Sequence, residues 1–185
     1  RLNINTEVDL APFMQAVGFR FTGAQQRAVD ECLADMRRGI CMNRLIQGDV
    51  GSGKTAAAAA LIYVVAKNGM QAALMAPTEV LAVQHYQTLS PLFAALGLRT
   101  GLLTGGTPAK QRRETLAALA DGGIELLIGT HAVISDDVRF HRLALVVTDE
   151  QHRFGVGQRE RLQQKGAQRP HVLVMSATPI PRTLA

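Results

Sequence analysis

The sequence predicts an α/β sandwich: a central, mostly parallel β-sheet with helices on both faces. Two patterns predict it. Short apolar runs alternate with longer stretches of helical periodicity, as in repeated strand–crossover–strand units. The runs are also apolar almost without interruption, as strands covered on both faces must be, whereas a half-solvated strand would alternate. Composition agrees, since 47% apolar and 19% charged residues in a chain of 185 supply a core for about one domain and exclude a disordered tail.

Strands are expected at Arg44–Gln47, Ala72–Ala76, Gly101–Leu103, Glu125–Gly129, Leu143–Thr148 and His171–Met175. Between them, Ala24–Arg38 carries Ala28, Val29, Cys32, Leu33 and Met36 at helical spacing, with Gly39 as a stop. Lys54–Lys67 is Ala-rich and ends before Gly69. Thr78–Leu96 is interrupted at Ser90-Pro91, which reads as a kink or as a fresh N-cap with proline in the first turn. Pro108–Ala120 ends at Asp121-Gly122-Gly123. Residues 1–18 read as a linker and a short helix, Glu7–Val17, leading into the main domain at 19–185. In such sheets ligands sit beyond the carboxyl ends of the strands, so function is expected in the residues just after each strand.

Charge narrows the partners only slightly. The net charge of +5 permits a polyanion, and 16 of the 20 cations are Arg, the better phosphate fork. Cys32 and Cys41 are too few for a disulfide scaffold or a four-cysteine zinc site. The longest apolar run, Ala56–Ala66, is too short to span a bilayer, and the opening Arg1-Leu2-Asn3 is no signal peptide. A soluble intracellular piece of a longer chain is the expectation.

The first post-strand segment is decisive. Gly48-Asp49-Val50-Gly51-Ser52-Gly53-Lys54-Thr55 follows one expected strand, opens a helix and fits G-x-x-x-x-G-K-[ST]. Chance would produce about 0.003 such matches in a chain of this composition, so a plain glycine turn is a poor account. The glycines let backbone N–H groups and a helix N-terminus surround a phosphate. Lys54 would reach the β/γ-phosphates and the Thr55 hydroxyl would hold Mg²⁺. Asp149-Glu150 ends another strand, and two acids at a buried strand tip are costly unless a cation or a water uses them. Asp149 is placed to join Thr55 at Mg²⁺, and Glu150 to orient and polarise an attacking water.

Taken together these segments resemble the superfamily 2 helicases. Asp149-Glu150-Gln151-His152 resembles their motif II, and Ser176-Ala177-Thr178 their motif III. Ala76-Pro77-Thr78-Glu79, followed by Leu81, Ala82 and Gln84, is similar to motif Ia. Leu103-Thr104-Gly105-Gly106 resembles the glycine doublet that faces DNA, and Gly129-Thr130-His131-Ala132 resembles motif Ib. Phe21-Thr22-Gly23-Ala24-Gln25 is similar to the adenine-reading Q motif. The motifs stand in family order across residues 19–185. Two longer strings, Gln151–Val156 and Ala177–Leu184, resemble a bacterial branch that remodels stalled replication forks and branched recombination intermediates. The transcription-repair coupling branch shares most of both strings but usually carries Glu at the place of Gln151.

The resemblance implies a RecA-like P-loop NTPase lobe with ATP and Mg²⁺ as cofactors. The implied partners are branched or forked DNA and a second RecA-like lobe, in the bacterial cytoplasm, with no membrane and no structural metal. ATP would be held by Gly48, Asp49, Val50, Gly51, Ser52, Gly53, Lys54 and Thr55, with Gln25 on the adenine edge and Phe19 or Phe21 stacking on it. Core packing is the alternative for each Phe, and simple solvent exposure for Gln25. Gln151, His152, Ser176, Ala177 and Thr178 would couple the nucleotide to the rest of the motor, with an interior histidine as the alternative for His152. Pro77, Thr78, Thr104, Gly105, Gly106, Gly129, Thr130 and His131 would meet DNA, through backbone N–H groups and small hydroxyls that read phosphate rather than base. Plain turns are the alternative for Gly105 and Gly106. His85, His141 and His171 carry no motif. The second lobe would supply an arginine finger whose loss costs about 10³–10⁵ in rate. No second lobe or junction-gripping wedge is visible in the sequence, so the isolated lobe is expected to bind ATP weakly and hardly hydrolyse it. A small-molecule P-loop kinase is disfavoured because the post-strand loops match helicase motifs and leave no lid. A non-hydrolysing nucleotide switch has no need of Glu150.

Overall fold

The computed structural model describes residues 4–18, 20–38, 43–47, 52–149 and 170–176, with the backbone alone for 43–47, 52–54 and 176. Among the described residues, six strands form one sheet: β1 (Asn43–Gln47), β2 (Gln71–Met75), β3 (Thr100–Leu103), β4 (Leu126–Gly129), β5 (Leu143–Asp149) and β6 (His171–Ser176). Every bound lies within one residue of the sequence expectation. All pairings are parallel, in the order β1-β6-β5-β2-β4-β3.

Five α-helices accompany the strands among the described residues: α1 (Ala11–Val17), α2 (Gly23–Arg37), α3 (Ser52–Lys67), α4 (Glu79–Ala94) and α5 (Ala109–Ala120), with a 3-10 turn at His131–Ile134. From β1 to β2 to β3 the chain moves one way along the sheet; from β3 through β4 and β5 to β6 it moves back. Right-handed crossovers put these two sets on opposite faces. The core divides in the same way. Ala72 and Leu74 of β2 join α3 and α4 in one cluster, together with Phe13 of α1 and Val29, Cys32 and Met36 of α2. The alternate residues Ala73 and Met75 join Leu119 of α5 and Val133 and Ile134 of the 3-10 turn in the other. Residues 56–66 of α3 are buried throughout, and the run is apolar on every side, as an enclosed helix must be.

Two expectations are corrected. Helix α1 begins at Ala11 instead of Glu7, because Pro12 tolerates only the first turn of a helix and would clash with a carbonyl four residues back. The residues before it form no simple linker. Ile4 and Thr6 are buried, Asn5 and Asn68 exchange hydrogen bonds of 2.7 and 3.0 Å, and Arg37 Nε donates to Thr6 Oγ1 at 3.0 Å. Helix α4 runs through Pro91 with no fresh cap at Ser90. Proline falls in its last turn and forfeits one backbone hydrogen bond there, while buried Leu89 and Phe93 hold the turn to the core. Among the described residues no helix is long and apolar enough to cross a membrane.

Candidate nucleotide and DNA sites

Strands β1, β6 and β5 are neighbours, and the chain leaves all three at one edge of the sheet. Ile46 pairs with Met175, and Met175 with Asp149. Asp149 is therefore level with the end of β1, two strand spacings or about 10 Å away. Ser52, Gly53 and Lys54 open α3, so the Gly48–Thr55 segment does join a strand to a helix N-terminus. Phe19, Gly48, Asp49, Val50, Gly51, Glu150, Gln151, His152, Ala177 and Thr178 lie outside the described residues, as do the side chains of Ser52, Lys54 and Ser176.

Asp149 is 5% exposed and receives a hydrogen bond from His85 Nε2 at 2.6 Å on its Oδ2. An ionised carboxylate only accepts, so the hydrogen belongs to Nε2 of the imidazole. Sequence motifs signal nothing at His85, and its partner is 64 residues away. Thr55 and His85 face the same cavity of about 660 Å³, walled by α1, α3 and α4, with Val17, Ala59, Gln84 and Leu92 in its lining. Asp149 and Thr55 offer one carboxylate and one hydroxyl, and among the described residues no three His, Cys, Asp or Glu side chains gather as a metal cage. That donor set fits magnesium, which prefers phosphate and water to an all-protein cage.

The adenine-side residues have structural duties. Thr22 caps α2: its Oγ1 accepts from Gln25 N at 3.1 Å, while Gln25 Oε1 accepts from Thr22 N at 2.8 Å. This reciprocal capping box uses the side-chain carbonyl of Gln25 and not its amide N–H groups. Its T-x-x-Q spacing was legible in the sequence. Phe21 is half-buried against Phe13, with ring centroids 6.4 Å apart, and Phe13 packs on Tyr63 at 5.7 Å.

The remaining strands, β2, β4 and β3, carry the expected DNA segments at the same edge. Thr78 caps α4, accepting from Leu81 N at 3.2 Å, and Pro77 precedes it. Thr104 Oγ1 donates to Glu79 Oε1 at 2.8 Å and accepts from Gly106 N at 3.2 Å, so the loops after β2 and β3 are tied together. A Cβ at Gly106 would lie 2.7 Å from that Glu79 oxygen, whereas one at Gly105 would meet nothing within 4 Å. Gly129 lies deeper than Gly105 and Gly106. It is buried in β4, its carbonyl accepts from Ala76 N at 2.8 Å, and a Cβ there would collide with the Leu103 carbonyl and Val133. Thr130 and His131 beyond it line a hollow of about 390 Å³ together with Thr104, Gly105, Thr107 and Arg112. Arg112 is held by both oxygens of Asp137 at 2.6 Å. Hydroxyls, a glycine and a guanidinium around one hollow suit a phosphate backbone.

Comparison with known proteins agrees with this arrangement. An ATP-dependent DNA helicase RecG from Synechocystis is 57% identical over 176 residues, 95% of this chain and 21% of the relative. The RecG of Bacillus subtilis is 53% identical over 177 residues, 96% of this chain and 26% of the relative. The chain thus spans about a quarter of the length of these curated relatives. A RecG solved bound to a three-way DNA junction superposes with a TM-score of 0.85 at 41% identity, covering 99% of this chain and 25% of that one. Residues 22–185 match the DEAD/DEAH box helicase model, and the chain belongs to that family.

Proposed function

We propose that this chain is the ATP-binding lobe of a bacterial cytoplasmic DNA helicase motor that remodels branched DNA and stalled forks. The observation that carries the reading is the strand order. It sets the ends of β1, β6 and β5 side by side, where the nucleotide would bind, and those of β2, β4 and β3 beside them, where DNA would bind. Backbone N–H groups of 48–53 and the Lys54 ammonium would hold the triphosphate, and Glu150 would align the attacking water. Thr55 and Asp149 would hold magnesium, which when bound neutralises charge developing on the β- and γ-phosphates. Gln151, His152, Ser176, Ala177 and Thr178 would relay nucleotide state. Pro77, Thr78, Thr104, Gly105, Gly106, Thr130 and His131 would grip the DNA backbone. The three-way junction held by a relative supports branched DNA as the partner. Relatives named RecG at 57% and 53% identity favour fork remodelling over transcription-repair coupling. A second RecA-like lobe, supplied by the rest of a protein about four times this length, would complete the ATP site.

The test uses the full-length protein. Lys54→Ala should weaken ATP binding about tenfold or more, the loss of a charge-assisted contact. Glu150→Gln should bind ATP normally while DNA-stimulated hydrolysis falls by about 10²–10⁴. Undiminished ATP affinity in Lys54→Ala overturns the phosphate assignment.

A further inference from the structure

Resting on the motor reading, we propose that His85 is the positioning residue for the magnesium-binding acid: its imidazole Nε2–H fixes the Asp149 carboxylate through Oδ2 and leaves Oδ1 to the cation. The bond is short, at 2.6 Å, and both side chains are shielded, at 14% and 8% exposure, so water competes weakly for either partner. A strand-end carboxylate with no such partner rotates about its side-chain bonds and must be ordered each time a cation binds. The bond to His85 holds it in one orientation beforehand, as the hydrogen bonds behind metal ligands do. The donor is itself held firmly. His85 lies in α4 between Ala82, one turn before it, and Leu89, one turn after it, both buried in the core. The ring cannot leave Asp149 without moving the helix or turning away from the carboxylate. Convergence on the site is independent of that bond, since Thr55, the other magnesium donor, faces the same cavity as His85 from α3. The cavity thus brings Thr55 of α3 to the same helix face that holds Asp149 of β5. The same helix begins at Thr78 and Glu79, and Glu79 is tied to the DNA-side glycine loop through Thr104. One rigid element therefore touches the magnesium acid and a DNA-facing loop.

The test replaces His85 in the full-length protein and reads metal binding directly, with Mn²⁺ as a paramagnetic stand-in for Mg²⁺ beside a non-hydrolysable ATP analogue. His85→Ala should weaken Mn²⁺ binding by about 10- to 100-fold. ATP affinity in EDTA should not change, because no metal is then in play. His85→Gln places an amide N–H near the Nε2 position and should recover most of the metal affinity, while the shorter His85→Asn should not. The Gln/Asn pair keeps the test decisive even where the Ala variant folds poorly. Mn²⁺ affinity within about twofold of wild type in His85→Asn, or equal losses in Gln and Asn, overturns the proposal. Lys54→Ala in the same EDTA assay separates the two readings. Normal ATP binding there sinks the motor assignment, while a loss there with Mn²⁺ binding intact in the His85 variants sinks this proposal alone.

Discussion

A methyl group added at Gly129 would be pressed into the Leu103 carbonyl oxygen and lie 2.6 Å from a Val133 methyl. Neither can retreat easily, since the first is strand backbone and the second is buried in the core. Gly129→Ala is expected to cost about 1–3 kcal/mol or more in unfolding free energy, as overpacking does. Gly105→Ala meets open space and should change thermal stability by under about 0.5 kcal/mol. Denaturant melts of the two variants check this, and equal losses would show that Gly129 is not held by packing. Both glycines sit in stretches with helicase likeness, so motif matching treats them alike; which one faces solvent depends on strands that pair across the sheet. His85 illustrates the same limit. No spacing rule links it to Asp149, because the contact exists only once folding brings His85 of α4 to the end of β5.

Helix ends were legible where a local rule decides them. Thr22 and Gln25 stand at capping-box spacing, and the same residues carry the likeness to the adenine-reading motif. The two duties are separable. Gln25→Glu keeps an acceptor for Thr22 N and removes the amide donors that an adenine would need. That variant is expected to keep the melting temperature of the wild type and to lose nucleotide affinity. Gln25→Ala should lose both, with a stability cost of about 1 kcal/mol for the damaged cap. Equal ATP affinity in wild type and Gln25→Glu would confine Gln25 to capping. The start of α1 has an equally local cause: the helical pattern runs back to Glu7, but Pro12 sets the limit. The strands were read closely because burial on both faces writes an apolar run with sharp ends.

Strand order is a property of the whole molecule, and nothing in the linear pattern reveals that β6, last in the chain, inserts between β1 and β5. That insertion places His171, the first residue of β6, beside β5, where it is 1% exposed. Burial holds its imidazole below the ordinary value of 6.5, against a smaller opposing pull from Asp35. The unfolded chain then binds the proton more readily, so this part of the stability is complete above about pH 6.5 and drains away as the pH falls toward the folded value. Thermal melts from pH 8 downward should show wild type losing ground to His171→Gln below that point; parallel curves would remove His171 as the cause. A last consequence follows from the pairing of all six described strands in one continuous ladder. In the motor proposed above, fuel pocket and track grip would be welded into this single slab, and a stroke would have to come from swinging the slab against another body.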